Sequence, residues 1–415
     1  MRDIALRALD TARSRGANYA DVRALHRQAE SVTVRLQNVE ALTFDETHGF
    51  GVRALVDGFW GFASSHLLTM EEADRVAAEA VRIARASATV RGRKADLGPT
   101  MTIVDSYTTP VQQDPFAVSL DDKIALLLRA SKSMMSVSNI VMAEANSYCQ
   151  REEKLFVSTE GSDLQQTLVE TGCGIEATAV DEGEVQRRSY PNSVGRHQGT
   201  EAAFAGTSFL TTDKLGSYRY GSPVINITAD ATVPGGLGTF GYDDEGVPAH
   251  ATPVVREGTF VGYLTSRETA TALGQTSNGA MRASGWNRIP LIRMTNVNLD
   301  PGDWTLDDLI ADTEDGIYME TNRSWSIDDR RLNFQFGTEV GREIKNGKLG
   351  DLIKNATYTG ITPQFWGSCD AVGNADHWLV WGTPNCGKGQ PEQVAHTGHG
   401  AAPARFRNVQ VGIMR

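Results

Sequence analysis

The soft donors of this 415-residue sequence are four cysteines and eight histidines, and their spacing restricts the chemistry open to them. Cys149, Cys173, Cys369 and Cys386 lie far apart with no C-x-x-C pair, which argues against a zinc ribbon and a dithiol redox couple. Cys386 and the nearby His396-Thr-Gly-His399 form one combination that could hold zinc, since a thiolate and two neutral imidazoles leave a fourth position for water. The spacing alone is weak. With no helix pattern, and no acid nearby except Glu392, a glycine-rich coil with exposed histidines is the expected structure. Asp243-Asp-Glu-Gly246 gathers three carboxylates that would suit a hard cation, but it does not fit an EF-hand loop, and a charged turn is expected. Pro234-Gly-Gly-Leu-Gly238 lacks the Gly-Lys-Ser/Thr ending of a phosphate loop and reads as backbone relief between strands. Trp366, Trp378 and Trp381 could line a peptide groove, although core packing is the expectation. Cys149, Cys173 and Cys369 are expected as small buried side chains.

The elements that must position these groups change character along the chain. A first helix sets Ile4, Ala8 and Ala12 on one face with Leu9 beside them, and ends near Gly16. Short strands are predicted at Val22–His26, Ser31–Leu36, Ala41–Phe44 and Val52–Val56, with Asp57-Gly58 as a tight hairpin turn. Thr69-Met-Glu-Glu72 reads as a capping box ahead of a helix whose stripe is Ala73, Val76, Ala77, Ala80 and Ala84. A second unit of the same style follows, with Ser119 capping a helix through Ile124–Leu128. Its strands lie near Val141–Cys149, Leu155–Ser158 and Leu164–Val180, with a hairpin at Glu182-Gly183. From Glu201 onward short strands dominate, turning at Glu257-Gly258 and Asn346-Gly347, with small helices near Arg267–Leu273 and Leu306–Glu314. The fold class is α+β. Residues 1–199 form an N-terminal domain of antiparallel hairpins with covering helices, and residues 200–415 a β-rich C-terminal domain.

Composition narrows the function classes. A net charge of -11 gives no encouragement to a phosphate backbone, so no nucleic acid partner is expected. No apolar run is long enough to span a membrane, the charged first helix is unlike a secretory signal, and the few scattered cysteines suit a reducing cytoplasm.

Specific strings then carry a resemblance: Gly49-Phe-Gly-Val-Arg53 with Trp60-Gly-Phe62, Arg187-Arg-Ser-Tyr-Pro191, Ala205-Gly-Thr-Ser-Phe-Leu210 and Tyr242-Asp-Asp-Glu-Gly-Val-Pro248. Arg293-Met-Thr-Asn296, Asp312-Thr-Glu-Asp-Gly316 and Cys386-Gly-Lys388 continue it. In this order they resemble the TldD/PmbA family of zinc metallopeptidases across nearly the whole chain. The resemblance implies a cytoplasmic homodimer or paired heterodimer that cleaves unfolded or extended peptides. In active members an H-E-x-x-x-H helix supplies two zinc ligands and a glutamate base, and a C-terminal cysteine, matched here by Cys386, completes the site. Zinc would lower the pKa of a bound water, and the glutamate would take its proton during attack on the peptide carbonyl.

The decisive motif is missing, because none of the eight histidines is followed by glutamate. The family places a long segment carrying that helix between landmarks matched by Pro191-Asn-Ser193 and Glu201-Ala-Ala-Phe204, which here are joined by Val194-Gly-Arg-His-Gln-Gly-Thr200. Three explanations are open: the segment belongs to the natural protein and is missing from this sequence, a true deletion yields a non-catalytic partner subunit, or the metal site has moved. Losing a buried helix would cost ~3–5 kcal/mol per large core side chain removed, which favours the first. As written, the chain is expected to bind no zinc, to leave Cys386 an orphan ligand and not to hydrolyse peptides. Its alternative role is a peptide-binding partner.

Overall fold

The computed structural model describes residues 1–191, 208–389 and 392–413. The domain boundary expected at 199/200, and the chain step from Thr200 to Glu201, lie outside the described residues. The order begins α1 (Arg2–Ser14), β1 (Tyr19–Arg35), β2 (Asn38–Val56), β3 (Phe59–Ser65), α2 (Met70–Ser87) and β4 (Val104–Thr108). It continues α3 (Leu120–Met135), β5 (Ile140–Ser158), β6 (Asp163–Asp181) and β7 (Glu184–Tyr190). The C-terminal half runs β8 (Ile227–Asp230), β9 (Ala251–Arg256), β10 (Thr259–Phe260), α4 (Arg267–Ala272), β11 (Met281–Arg282), β12 (Leu291–Ile292), β13 (Asn296–Leu299) and α5 (Leu306–Ala311). It ends β14 (Asp315–Ile327), β15 (Asn333–Lys345), β16 (Lys348–Ile353), β17 (Ala356–Ile361), α6 (Thr362–Gly367), β18 (Cys369–Val372), β19 (Leu379–Lys388), β20 (Gln393–Ala401), β21 (Ala404–Phe406) and β22 (Gln410–Ile413).

The two N-terminal units share one sheet of order β3-β2-β1-β5-β6-β4, with β7 also on β6, and every pairing is antiparallel except β4 with β6. The short strands predicted within Val22–Leu36, Ala41–Val56 and Val141–Ser158 are three continuous strands, β1, β2 and β5. Polar runs such as Arg27–Ser31 break the apolar alternation without breaking the ladder, because they lie between the stretch of β1 covered by α1 and α2 and the stretch covered by α3.

At the covered end the alternation is strict. Ala20, Val22 and Ala24 on β1, Val52 and Ala54 on β2, and Leu155 and Val157 on β5 face α1 and α2, which contribute Ile4, Leu9, Val76 and Val81. Thr69 accepts a hydrogen bond from the Glu72 amide at 3.2 Å, giving half of the expected box, while the Glu72 carboxylate takes Arg75 instead. Ser119 caps α3 as expected, and Leu127 packs on Val32 and Val34. The C-terminal half builds a sheet of order β10-β9-β8-β13-β20-β19 around a core containing Ile225, Phe260, Val297 and Trp366. A second sheet runs β14-β15-β17-β22, with β16 on β15. The architecture is α+β, and among the described residues no helix is long and apolar enough to cross a membrane.

Gly61 shows why the Trp60-Gly-Phe62 string has no side chain at its centre. A Cβ there would meet the carbonyl oxygen of Ala80 at 2.0 Å and the amide nitrogen of Ala84 at 2.4 Å, both backbone atoms of α2. Gly61→Ala is therefore expected to force α2 off the sheet and destabilise the fold by ~1–3 kcal/mol, read as a lower urea midpoint with an unchanged m value. A midpoint at or above the wild type would show that the helix can retreat without cost.

Candidate functional site

While one face of the N-terminal sheet is apolar, the opposite face of the same strands is charged. Residues two apart on a strand share a face, so Asp21, Arg23 and Arg27 of β1 line up, with Arg53 opposite Asp21 on β2 and Glu152 opposite Arg27 on β5. Lys154 joins them two residues beyond Glu152. This face is covered by the C-terminal half, and Asp243, Asp244 and Glu245 are buried against it, so the charged turn expected from sequence is an interior one.

The pairs close in sequence. Arg53 donates to Asp21 at 2.6 Å and to Glu245 at 3.1 Å, and the other Glu245 oxygen accepts the Arg267 amide at 2.8 Å. Burial alone would pull Arg53 down, but Asp21 and Glu245 outweigh it and hold the guanidinium well above its ordinary range. Asp244 takes Lys154 at 2.8 Å, Arg23 at 3.5 Å and the Ala283 amide at 2.7 Å. Burial opposes the charge on Asp244, yet Lys154 and Arg23 bring its pKa to about 2. Arg23 itself is pushed down by the same burial, so the closer Lys154 is the firmer partner. Burial and Glu245 push Asp243 up to about 8 against three backbone amides, of Glu245, Val247 and Met281, that donate to it and pull it down. These carboxylates are engaged by protein donors, which leaves no case for a hard cation.

The Gly49-Phe-Gly-Val-Arg53 string has its explanation on the same face. A Cβ at Gly49 would strike the Trp286 ring at 2.4 Å, and one at Gly51 the Trp286 carbonyl at 2.4 Å. The glycines admit the covering segment and the arginine anchors it.

Beside the charged face, between the two halves, lies a cavity of about 140 Å³. Its walls include Arg27, Glu152, Lys154, Glu170, Arg282 and His396. Arg27 holds Glu152 at 2.7 Å, while His396 Nδ1 meets Glu170, with the Tyr148 ring edge-on to the imidazole at 6.2 Å. Sequence reasoning passed over Arg27, Glu152, Lys154, Glu170 and Arg282. The available signal was charge repeating at every second residue in Asp21-Val-Arg23 and Glu152-Glu-Lys154, a pattern that on a strand usually marks a solvated face.

The donors singled out from sequence do not converge. His396 and His399 sit on β20, paired with β19 in a register that sets Ala395 opposite Cys386 and His399 opposite Trp381. Three residues apart on a strand, the two imidazoles face opposite sides of the sheet. Cys386 shares the face of His399, but Ala395 and His399 are four residues apart, roughly 13 Å of strand. The expected exposed coil is therefore corrected to a strand in which His399 is 2% exposed. Its glycines mark close approach: a Cβ on Gly398 would meet the Asn296 amide oxygen, and one on Gly400 the Trp378 ring, each at 2.1 Å.

Cys386 packs against the C-terminal core and its carbonyl accepts Arg293 at 2.5 Å. Among the described residues no three His, Cys, Asp or Glu side chains gather as a metal-ligand group, so the donors there do not fit the three protein ligands that catalytic zinc requires. His197 lies outside the described residues. Trp366 is buried in the core, as expected, and Trp378 donates to the Leu299 carbonyl at 2.9 Å. Gly238 donates its amide to Asn296 at 2.8 Å, as backbone relief requires. Cys149 and Cys369 are buried, but Cys173 is corrected to exposed, in a stretch of β6 where Thr171, Gly172 and Cys173 are all exposed.

Comparison with known proteins gives three matching domain families in chain order. These are PmbA/TldA metallopeptidase domain 1 over residues 20–84, the central domain over 113–215 and the C-terminal domain over 192–412. A metalloprotease of Methanocaldococcus jannaschii is 26% identical over 409 residues, covering 86% of this chain and 89% of its own length. A metalloprotease of Synechocystis is also 26% identical, with 95% of each chain covered. That alignment runs over 455 positions against the 415 residues here, so the cyanobacterial protein carries residues with no counterpart in this chain. Among solved structures, a protein of Thermotoga maritima described as a modulator of DNA gyrase superposes with a TM-score of 0.75 at 17% identity. It covers 99% of this chain and 100% of its own, and shows the same fold.

The buried charges make stability depend on acid in a defined window. Asp244 ionises at about 2 when folded and near ~3.9 when unfolded, so its contribution is complete above the unfolded value and lost as pH falls through the folded one. The difference in unfolding free energy between the wild type and Asp244→Asn should shrink by ~2 kcal/mol from pH ~4 to pH ~2 in urea titrations. A difference that stays constant over this range would mean that Lys154 and Arg23 do not hold the carboxylate ionised.

Proposed function

The chain belongs to the PmbA/TldD metallopeptidase family, and we propose that in its present form it binds extended peptides in the cytoplasm without hydrolysing them. One observation carries the proposal. The soft donors left in the C-terminal half are dispersed by a strand, with His396 and His399 on opposite faces and Cys386 about four residues of strand from His399. Together with the missing H-E-x-x-x-H helix, this leaves no described set of ligands to lower the pKa of a water and no glutamate base in the position the family uses. A relative in Saccharolobus solfataricus is named a zinc metalloprotease TldD homolog, but it aligns with only 29% of this chain. The chain acts in this reading as one half of a homodimer or of a heterodimer with a competent family partner, its two domains meeting near residue 200.

The purified protein should contain well under one zinc per chain by atomic emission, and should bind an unfolded peptide saturably without cleaving it. One zinc per chain with hydrolysis abolished by a chelator would overturn the proposal. The mass of the protein isolated from its native source separates a true deletion from a missing segment, and the 45.0 kDa of this sequence would mark a true deletion. A mass several kilodaltons higher would restore the zinc helix, and the metallopeptidase reading with it.

A further inference from the structure

The cavity beside the charged sheet face contains a cation, Arg282, that makes no ion pair among the described residues. Of its charged walls, Arg27 and Lys154 share Glu152, at 2.7 Å and 3.4 Å, and His396 engages Glu170. Arg282 has no carboxylate within ion-pair distance among the described residues. Its two terminal nitrogens reach only the carbonyls of His396, at 2.6 Å, and Met294. Its Nε is shielded from solvent without a hydrogen-bond acceptor. A guanidinium has five N–H donors, so these two contacts leave most of its fork unused. The Phe240 ring, 5.5 Å from the guanidinium carbon, gives a weaker attraction than a counter-charge would. Burial and the neighbouring Arg293 lower Arg282 to about 10, which still leaves it charged at neutral pH.

We propose that this cavity is a carboxylate-binding pocket with Arg282 as its principal ligand. Of the three cations on the walls, Arg27 is held by Glu152 and Lys154 by Asp244 at 2.8 Å, while Arg282 makes no ion pair among the described residues. One guanidinium without an ion-paired carboxylate suits a monoanion. A phosphate carrying two charges would be repelled by Glu152 and Glu170. The planar fork of Arg282 matches the two oxygens of a carboxylate, and the volume admits several water-sized groups. Leu168, Leu237 and Val394 line the same cavity and offer apolar contact to whatever bears the carboxylate. Resting on the peptide-binding reading above, the occupant is the C-terminal carboxylate of an extended peptide; a small free carboxylic acid has the same chemistry.

The test compares an N-terminally labelled alanine pentapeptide with a free C-terminus and the same peptide amidated, by fluorescence anisotropy on the full chain. The free acid should bind about tenfold more tightly, the loss expected when one charge-assisted contact is removed. Arg282→Gln should erase that preference. Val394→Glu, at a position already 42% exposed and outside the core, should erase it too by placing a carboxylate beside the pocket. Equal binding of the two peptides, or a preference that survives both variants, would overturn the pocket and leave peptide binding standing. If neither peptide binds but propionate raises the melting temperature of the wild type and not of Arg282→Gln, the pocket stands with a small acid in it and the peptide reading fails. No response to either would refute both.

Discussion

The structure depends on burying a charged sheet face without leaving a charge unpaired. Moving an ion out of water costs several kcal/mol even after relaxation, so the contact between the two halves is favourable only when each charge meets an opposite one in good geometry. Arg53 between Asp21 and Glu245, and Asp244 between Lys154 and Arg23, meet that condition. The requirement is directional in a way that apolar packing is not, so it fixes how the C-terminal half seats on the strands. The cavity lies where the ladder stops: Arg27 and Glu152 are its last full pair, and beyond them Arg282 makes no ion pair among the described residues.

The same sheet face explains why glycine and tryptophan belong to the contact. Gly49 and Gly51 are placed so that the Trp286 ring and backbone can lie directly on the strand, and the Trp286 indole donates to Thr47 at 3.1 Å. A side chain at either glycine would lift the covering segment and open the distances on which the ion pairs rely. Steric permission and electrostatic direction are thus supplied by neighbouring residues of one strand, which is why they recur together as a short string in the sequence.

Local features were legible in the sequence where one residue type has one physical use. Asp57-Gly58, Glu182-Gly183, Glu257-Gly258 and Asn346-Gly347 all adopt the positive φ angles of tight hairpins, and the alanine stripe of α2 is buried as its period requires. What was not legible depended on partners distant in the chain. Charges at alternate positions of β1 and β5 have the pattern of a solvated strand face, and only the turn at 243–245, some ninety residues beyond β5, turns them inward. The glycines of His396-Thr-Gly-His399 imitated a coil for a related reason, since the side chains they make room for, Asn296 and Trp378, lie elsewhere in the sequence. The family strings recovered part of this by marking Arg53 and Asp243–Glu245 without saying what they touch.

The position of the ladder also bears on what an excised zinc helix would leave behind. Its described members come from β1, β2 and β5 on one side of the junction and from the turn at 243–245 on the other. These pairs are in place in a chain whose family landmarks are joined by Val194–Thr200. The match to the Thermotoga protein over 99% of this chain shows the same fold. A metal site needs donors converging within a few ångströms, and a sheet disperses donors by alternating their faces and spacing them ~3.3 Å per residue. With Cys386, His396 and His399 on β19 and β20, this chain keeps the family's fold while these described donors are dispersed along and across two strands.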